Sequence, residues 1–336
     1  MRALPPGLRD DDVVAAAARS WGLSPAAAEY LPEGGGSFHW KLLDRARGPL
    51  FVRVDDLDDK PWFGGGRDAV FDGLSGALRT AIALHRDAGL SFVVAPLVST
   101  TGDPARRVGE RYALSVYPYL VGVSHPFGPY PDAALRDAVL DLLVVLHGAT
   151  PVARDLAPAH EPAVPWRREL EAFLEDPRRP WDGGPFSEGA HALLAPEAVA
   201  LADVVRGFDG LVDATAGARS ATVVTHGEPH PGNVMWVGGE AALLDWDTVA
   251  LAPPERDLWF VTAGNQDGLD RYTSASGRVP DAATMDLYRL RWYLDDLASA
   301  VHLFCGRHDA NADTEHWWAG LGPRVAALPW WRAKVS

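Results

Sequence analysis

Residues 226–260 read "HGEPHPGNVMWVGGEAALLDWDTVALAPPERDLWF", and the fold turns on how this stretch is understood. The run "ATVVTHGE" (221–228) has the look of a strand that opens into a loop. Two apolar runs follow, divided by Gly238-Gly239, which predicts a tight hairpin. Glu228 comes straight after Gly227 at the mouth of the entering strand, and Asn233 lies five residues later. Asp245 and Asp247 flank Trp246 where the hairpin ends. If the second strand stays extended through both acids they share a face, because side chains alternate with period two. Phosphoryl transfer asks mainly for positioning and charge stabilisation. A carboxylate beside the attacking hydroxyl serves it, as do the hard oxygen ligands that Mg²⁺ prefers. Glu228, Asn233, Asp245 and Asp247 supply that set of groups.

Working outward, the first 120 residues carry alternating patterns. "SFHWKLLD" (37–44) and "PLFVRVDD" (49–56) predict two strands joined by "RARG", and "SFVVAPL" (91–97) and "RYALSVYPYL" (111–120) predict two more. "DDVVAAAARSWG" (11–22) sets Val13, Val14, Ala17 and Trp21 on one helical face, with Gly22 to end it. A second helix is expected from about Gly73 to Ala88. Residues 55–71 hold Pro61 and Gly64 to Gly66 and predict a loop. Beyond Tyr117-Pro118-Tyr119 the texture turns helical. Helices are expected at 132–149, 166–175, 196–213 and 284–304, with further ones at "PERDLWFVTA" and the Trp-rich tail. The order predicts an α+β fold of two lobes, a small β-rich one over residues 1–118 and a larger helical one over 119–336, with a ligand cleft between them.

Composition narrows the partners. Lys and Arg number 31 against 45 Asp and Glu, a formal net charge of −14. A nucleic-acid partner would call for a basic footprint, so none is expected. The acidic balance suits a cationic small molecule, but plain solubility is the plainer reading. One cysteine, Cys305, cannot form a disulfide within the chain, which fits a reducing cytoplasm. No apolar run reaches the length of a membrane span, and the start has no secretory pattern. The residues leave monomer and dimer equally open.

The catalytic segment resembles that of the aminoglycoside phosphotransferase and choline kinase family, which has a protein-kinase-like fold. That family carries His-Gly-Asp, four variable residues and Asn, then a hairpin and an Ile-Asp-Trp or Ile-Asp-Phe motif. "DWDTVALAPPERDLWF" is most similar to the spectinomycin phosphotransferase branch. The resemblance implies an ATP- or GTP-dependent kinase that uses Mg²⁺ and phosphorylates a hydroxyl of a small, cationic molecule such as an aminocyclitol antibiotic. It places Glu228 as the catalytic base, Asn233 and Asp245 as metal ligands and Asp247 as a further ligand or substrate contact. His226 becomes a structural residue of the loop. A metabolite kinase of choline, homoserine or methylthioribose type is an alternative, and so is a kinase-fold binding protein without turnover.

Four departures from the family pattern stand out. Glu228 replaces Asp. Arg53 in "LFVRVDD" sits where the family has a phosphate-holding Lys, and a planar fork is not equivalent to a point charge. Lys60, in the next loop, is a candidate substitute, although a solvated loop lysine is the plainer expectation. "DGLSGALRTAIALHR" (72–86) has no Glu to pair with the missing Lys. Finally, "PEGGGSFHWKL" (32–42) stands in the place of the phosphate loop, where Gly35, Gly36 and Ser37 would offer backbone N–H groups. Tyr119, at the junction of the lobes, completes the expected nucleotide site. For the acceptor, Trp292, Asp295 and Asp296 on one helix would suit a protonated amine, while an Arg291–Asp295 pair is the competing expectation. His230 is expected at the surface, and Arg256 and Asp257 are expected to brace the helical lobe.

Overall fold

The computed structural model describes residues 1–217 and 221–335. In chain order the strands are β1 Pro25–Leu31, β2 Phe38–Asp44, β3 Gly48–Asp56, β4 Arg106–Val108, β5 Tyr112–Pro118, β6 Val123–Ser124, β7 Val223–Thr225, β8 Val234–Val237, β9 Glu240–Leu243 and β10 Ala250–Ala252. The helices are α1 Asp10–Trp21, α2 Arg67–Arg86, α3 Ala133–Gly148, α4 Thr150–Ala153, α5 Arg167–Glu175, α6 Ser187–Leu194, α7 Ala198–Ala214, α8 Glu255–Thr262, α9 Gln266–Ser276, α10 Ala282–Cys305, α11 Ala312–Ala326 and α12 Leu328–Val335. The chain divides into two compact units, Met1–His160 with Ala221–Pro280, and Glu161–Ser220 with Asp281–Ser336. The expected boundary at Tyr117–Tyr119 falls within the first unit, at the end of β5.

The first unit holds an antiparallel sheet in the order β1-β2-β3-β5-β4. Alternation along β3 decides what each face does. Leu50, Val52 and Val54 pack with Trp40, Leu42, Leu114 and Val116 against Val13, Ala17 and Trp21 of α1. Phe51, Arg53 and Asp55 take the other face, where Leu74 and Leu78 of α2 pack beside Tyr117 and Ala113. Helix α1 begins with Asp10, Asp11 and Asp12 at the positive end of its dipole and stops at Gly22, whose φ of 63° closes the last turn. Below the sheet, β8 and β9 form the hairpin around Gly238 and Gly239, with β6 on its open edge. β7 pairs with β10, and α3, α4, α8 and α9 pack around them.

Two expectations are corrected, and one strand was not expected. Residues 91–97 do not form a strand. Val93 and Leu97 make single bridges to Leu243 and Val116 instead. Helix α2 starts at Arg67, six residues ahead of Gly73. The edge strand β1 was not foreseen, because "PAAAEYL" is rich in alanine, a weak strand former, and is only half-buried. The regular elements described in the second unit are all helices. Its core joins Leu170, Phe173, Leu201, Phe208, Leu294, Leu297, Phe304, Leu321 and Trp331.

Candidate active site

The loop after β7 is held from beneath by one buried carboxylate. Asp257, at the start of α8, accepts the backbone N–H of His226 at 2.9 Å and of Gly227 at 2.6 Å. His147 of α3 lies 3.0 Å from the same carboxylate and 2.8 Å from the Tyr272 hydroxyl. Burial works to raise the Asp257 pKa, but the bond from His147 and the nearby charges outweigh it and hold the group ionised. Arg256 donates to the Thr225 hydroxyl at 2.8 Å and the Thr248 carbonyl at 2.7 Å. Arg256 and Asp257 thus brace the loop itself, where the sequence had suggested a brace for the helical lobe. Gly227 is required here: its φ is 101° and a Cβ would run into the Arg256 guanidinium.

His226 is fully buried and orients the loop's next turn. Its Nε2 faces the Leu244 carbonyl at 2.7 Å, and its Nδ1 accepts the Glu228 N–H at 3.2 Å. That pair of contacts fixes the neutral Nε2–H tautomer, and burial pushes its pKa down in agreement. The Glu228 carbonyl accepts Nδ2 of Asn233 at 3.1 Å, so the backbone of Glu228 is held on both sides. Leu244 donates to the Asn233 carbonyl at 2.8 Å, which ties the catalytic loop to the end of the hairpin. His230 departs from its expected surface position. It caps the turn at Gly232 and packs at 5.0 Å from the Phe127 ring, and burial lowers its pKa to about 4.

β9 stops at Leu243, so Asp245 and Asp247 do not share a strand face. Asp245 instead adopts φ 61°, a left-handed conformation uncommon outside glycine. The turn brings both carboxylates to one guanidinium on β3. Arg53 Nη1 bonds Asp245 Oδ1, and Nη2 bonds Asp247 Oδ2 at 2.5 Å. Arg53 Nε reaches Asp55 Oδ1 at 2.9 Å and the Ser37 hydroxyl at 3.0 Å. The Ser37 hydroxyl in turn donates to Asp55 at 2.7 Å. Lys60 is not solvated: it is 1% exposed, with Nζ 2.7 Å from Asp247 and 3.0 Å from Asp55. Burial opposes ionisation of Asp247, yet Lys60 and Arg53 hold its pKa well below the usual carboxylate range. The cluster contains two cations and three carboxylates, a net charge of minus one.

These groups fit a hard divalent cation. Nδ2 of Asn233 is committed to Glu228, which leaves its Oδ1 without a hydrogen-bond partner among the described residues. Asp245 and Asp247 offer further oxygens in the adjoining segment. No set of three or more His, Cys, Asp or Glu among the described residues is disposed around a metal position. Two carboxylates and an amide suit Mg²⁺, which keeps several of its waters. Gly35 and Gly36 lie in the turn between β1 and β2, with Gly36 at φ 76°. The Ser37 side chain points into the charged cluster, so only its backbone remains for a phosphate. Tyr119 is half-buried with Lys41 Nζ 4.8 Å from its ring.

Trp292, Asp295 and Asp296 lie on α10 in the second unit. Asp295 pairs with Arg291 at 3.0 Å, and Asp296 with Arg324 at 2.8 Å. Both acids therefore have arginine partners, although Asp295 Oδ1 is buried with none. Burial pushes the Asp295 carboxyl up to about 7. Sequence reading missed Asp55 as a member of the charged site and His147 as a support of the loop. The signal for Asp55 was its spacing of two from Arg53, which puts both on one face of β3. No local signal marks His147, whose partners lie 110 and 125 residues away.

The fold is the protein-kinase-like fold shared by aminoglycoside phosphotransferases and choline kinases. The chain belongs to the phosphotransferase enzyme family, whose profile matches residues 81–300. Protein StrN of Streptomyces griseus is 27% identical over 305 residues, covering 87% of this chain and 84% of that protein. The structure of spectinomycin phosphotransferase APH(9)-Ia in complex with ADP and spectinomycin superposes with a TM-score of 0.71 at 15% identity, covering 96% of this chain and 99% of the other. Amicoumacin kinase hAmiN, in complex with AMP-PNP, Ca²⁺ and Ami, gives a TM-score of 0.58 at 15% identity, covering 95% of this chain and 93% of the other.

Proposed function

We propose that this protein is a small-molecule O-phosphotransferase. It moves the γ-phosphate of ATP or GTP to a hydroxyl of a compact, cationic acceptor, with aminocyclitol antibiotics of spectinomycin type as the leading class. The observation that carries this reading is the meeting of Asp245 and Asp247 with Arg53, beside an Asn233 whose side-chain oxygen is unused. Membership of the phosphotransferase family and the likeness to antibiotic kinases support it.

In this reading Glu228 accepts the proton of the attacking hydroxyl. Asn233 and Asp245 would hold Mg²⁺, with Asp247 as a third oxygen donor, and the metal would supply charge neutralisation during transfer. Arg53 and the backbone around Gly35, Gly36 and Ser37 orient the phosphates, with Tyr119 beside the base. Trp292, Asp295 and Asp296 meet the acceptor's amines. The longer Glu228 side chain matters, since a misplacement of about 1 Å can cost on the order of 100-fold in rate. His226 and Asn233 hold the Glu228 backbone, so the longer side chain extends from a fixed main chain.

One observation favours a second reading, a kinase-fold binding protein without turnover: protein cations already occupy both candidate metal acids. Nucleotide titrations with and without Mg²⁺ separate the two. Turnover requires nucleotide binding that tightens with Mg²⁺ and loses that gain in Asn233→Ala and Asp245→Ala. Binding indifferent to Mg²⁺ in all three proteins supports the non-catalytic reading.

A further inference from the structure

Protein kinases hold the phosphate-binding lysine with a glutamate on the neighbouring helix. Here α2 carries no glutamate, and its nearest acid, Asp72, is exposed. The cation of β3 is instead held by Asp55, two residues along the same strand, which also receives Lys60 and Ser37. Lys60 is placed by its loop. On one side Asp56 pairs with Arg111 at 2.6 Å and Asp58 with Arg67 at 2.7 Å. On the other, Pro61–Phe63 forms a short 3₁₀ turn and Trp62 lies under the ammonium at 5.1 Å. A lysine buried to this degree needs compensating charge, and Asp247 and Asp55 provide it.

We propose that Lys60 is a specificity-determining cation of the nucleotide site, a counter-ion that couples metal binding to nucleotide binding. Before either ligand arrives, Lys60 and Arg53 neutralise the acids that would otherwise hold a divalent ion. A metal alone must therefore compete with two protein cations already paired to those acids. Nucleotide phosphates offer the two cations a second set of anions, which releases Asp245 and Asp247 to the metal. Asp55 stabilises Lys60 through the exchange: it already holds the ammonium, and its Oδ2 is buried without a partner and free to accept it. The arrangement favours a metal–nucleotide complex over free metal or free nucleotide. Strand β3 and its following loop thus replace the ion pair that other kinases build between strand and helix.

This assignment rests on the phosphotransferase reading, and the test separates the two. Mn²⁺ affinity without nucleotide is read by electron paramagnetic resonance, and ADP affinity without metal by calorimetry, in the unsubstituted protein, Lys60→Met and Lys60→Arg. Lys60→Met is expected to bind Mn²⁺ alone about tenfold more tightly and ADP alone about tenfold more weakly, within the usual range for coupled sites. Lys60→Arg is expected to restore both toward the original values. Lys60→Gln, which keeps a donor to Asp247, gives the same signs and replaces Lys60→Met if that variant unfolds. Unchanged affinities, or both falling together, overturn the assignment while leaving the phosphotransferase reading intact. Failure of the unsubstituted protein to bind nucleotide, with or without Mn²⁺, removes both.

Discussion

At the scale of single residues, Glu228 and Arg53 stand where the family pattern has Asp and Lys, and Arg53 is bound to Asp55, Asp245 and Asp247. The sequence displayed Glu228, Asn233, Asp245 and Asp247 openly, because their spacing is local. It gave no sign that Arg53 would bridge two of them, since 192 and 194 residues separate the partners. Lys60 was misjudged for a physical reason. A charged residue in a Gly- and Pro-rich loop is normally solvated, and only the distant Asp247 makes burial tolerable. Glu228→Asp is expected to keep or raise turnover in a steady-state transfer assay. Its complete loss would show that the loop is built around the longer side chain. Asp295 supplies a pH prediction. Its carboxyl is pushed up to about 7 in the folded protein, from about 4 in the unfolded chain. The folded state thus binds this proton more tightly, so the group favours folding below about pH 4 and that contribution is lost as pH rises to about 7. Asp295→Asn is expected to flatten the decline of melting temperature across that window. An unchanged slope would mean that Asp295 does not hold its proton.

Among elements, the catalytic loop and hairpin were the most legible part of the chain. Gly238 and Gly239 announced the turn, and the apolar runs announced β8 and β9. The end of β9 was not legible, because Asp245 turns to φ 61° and meets Arg53, a partner 192 residues away. The short runs around Val93 and Leu97 read as a strand by composition, yet each residue finds only one bridge. Helix α8 governs the loop through Asp257, which has no exposure and accepts two backbone N–H groups. Asp257→Ala leaves those donors and the Nε2 of His147 unpaired, at a cost of about 3 kcal/mol or more. Chemical denaturation should show that loss. A change below about 0.5 kcal/mol, the size usual for an ordinary surface substitution, would contradict the bracing role. Gly227→Ala should lower transfer activity as well as stability, since the Arg256 guanidinium must retreat to admit the methyl.

For the whole molecule, the α+β class was legible because strands and helices segregate along the chain, and the protein-kinase-like fold because the catalytic segment resembles that family's. The division into compact units was harder to see, since Glu161–Ser220 interrupts the first unit and joins residues from Asp281 onward. Such a discontinuous arrangement leaves no composition shift at the true contacts. No described helix is long and apolar enough to cross a membrane. Helix α10 sets Asp286, Asp295 and Asp296 beside Arg289 and Arg291, and all three acids have basic partners. The most direct measurement is mass spectrometry of a panel of hydroxylated antibiotics incubated with the protein, Mg²⁺ and ATP or GTP, alongside Asp245→Ala. The account predicts that at least one acceptor gains a single phosphoryl group with the unsubstituted protein and none does with the variant. It is contradicted if folded, nucleotide-bound protein phosphorylates no acceptor with either nucleotide, or if Asp245→Ala transfers equally well.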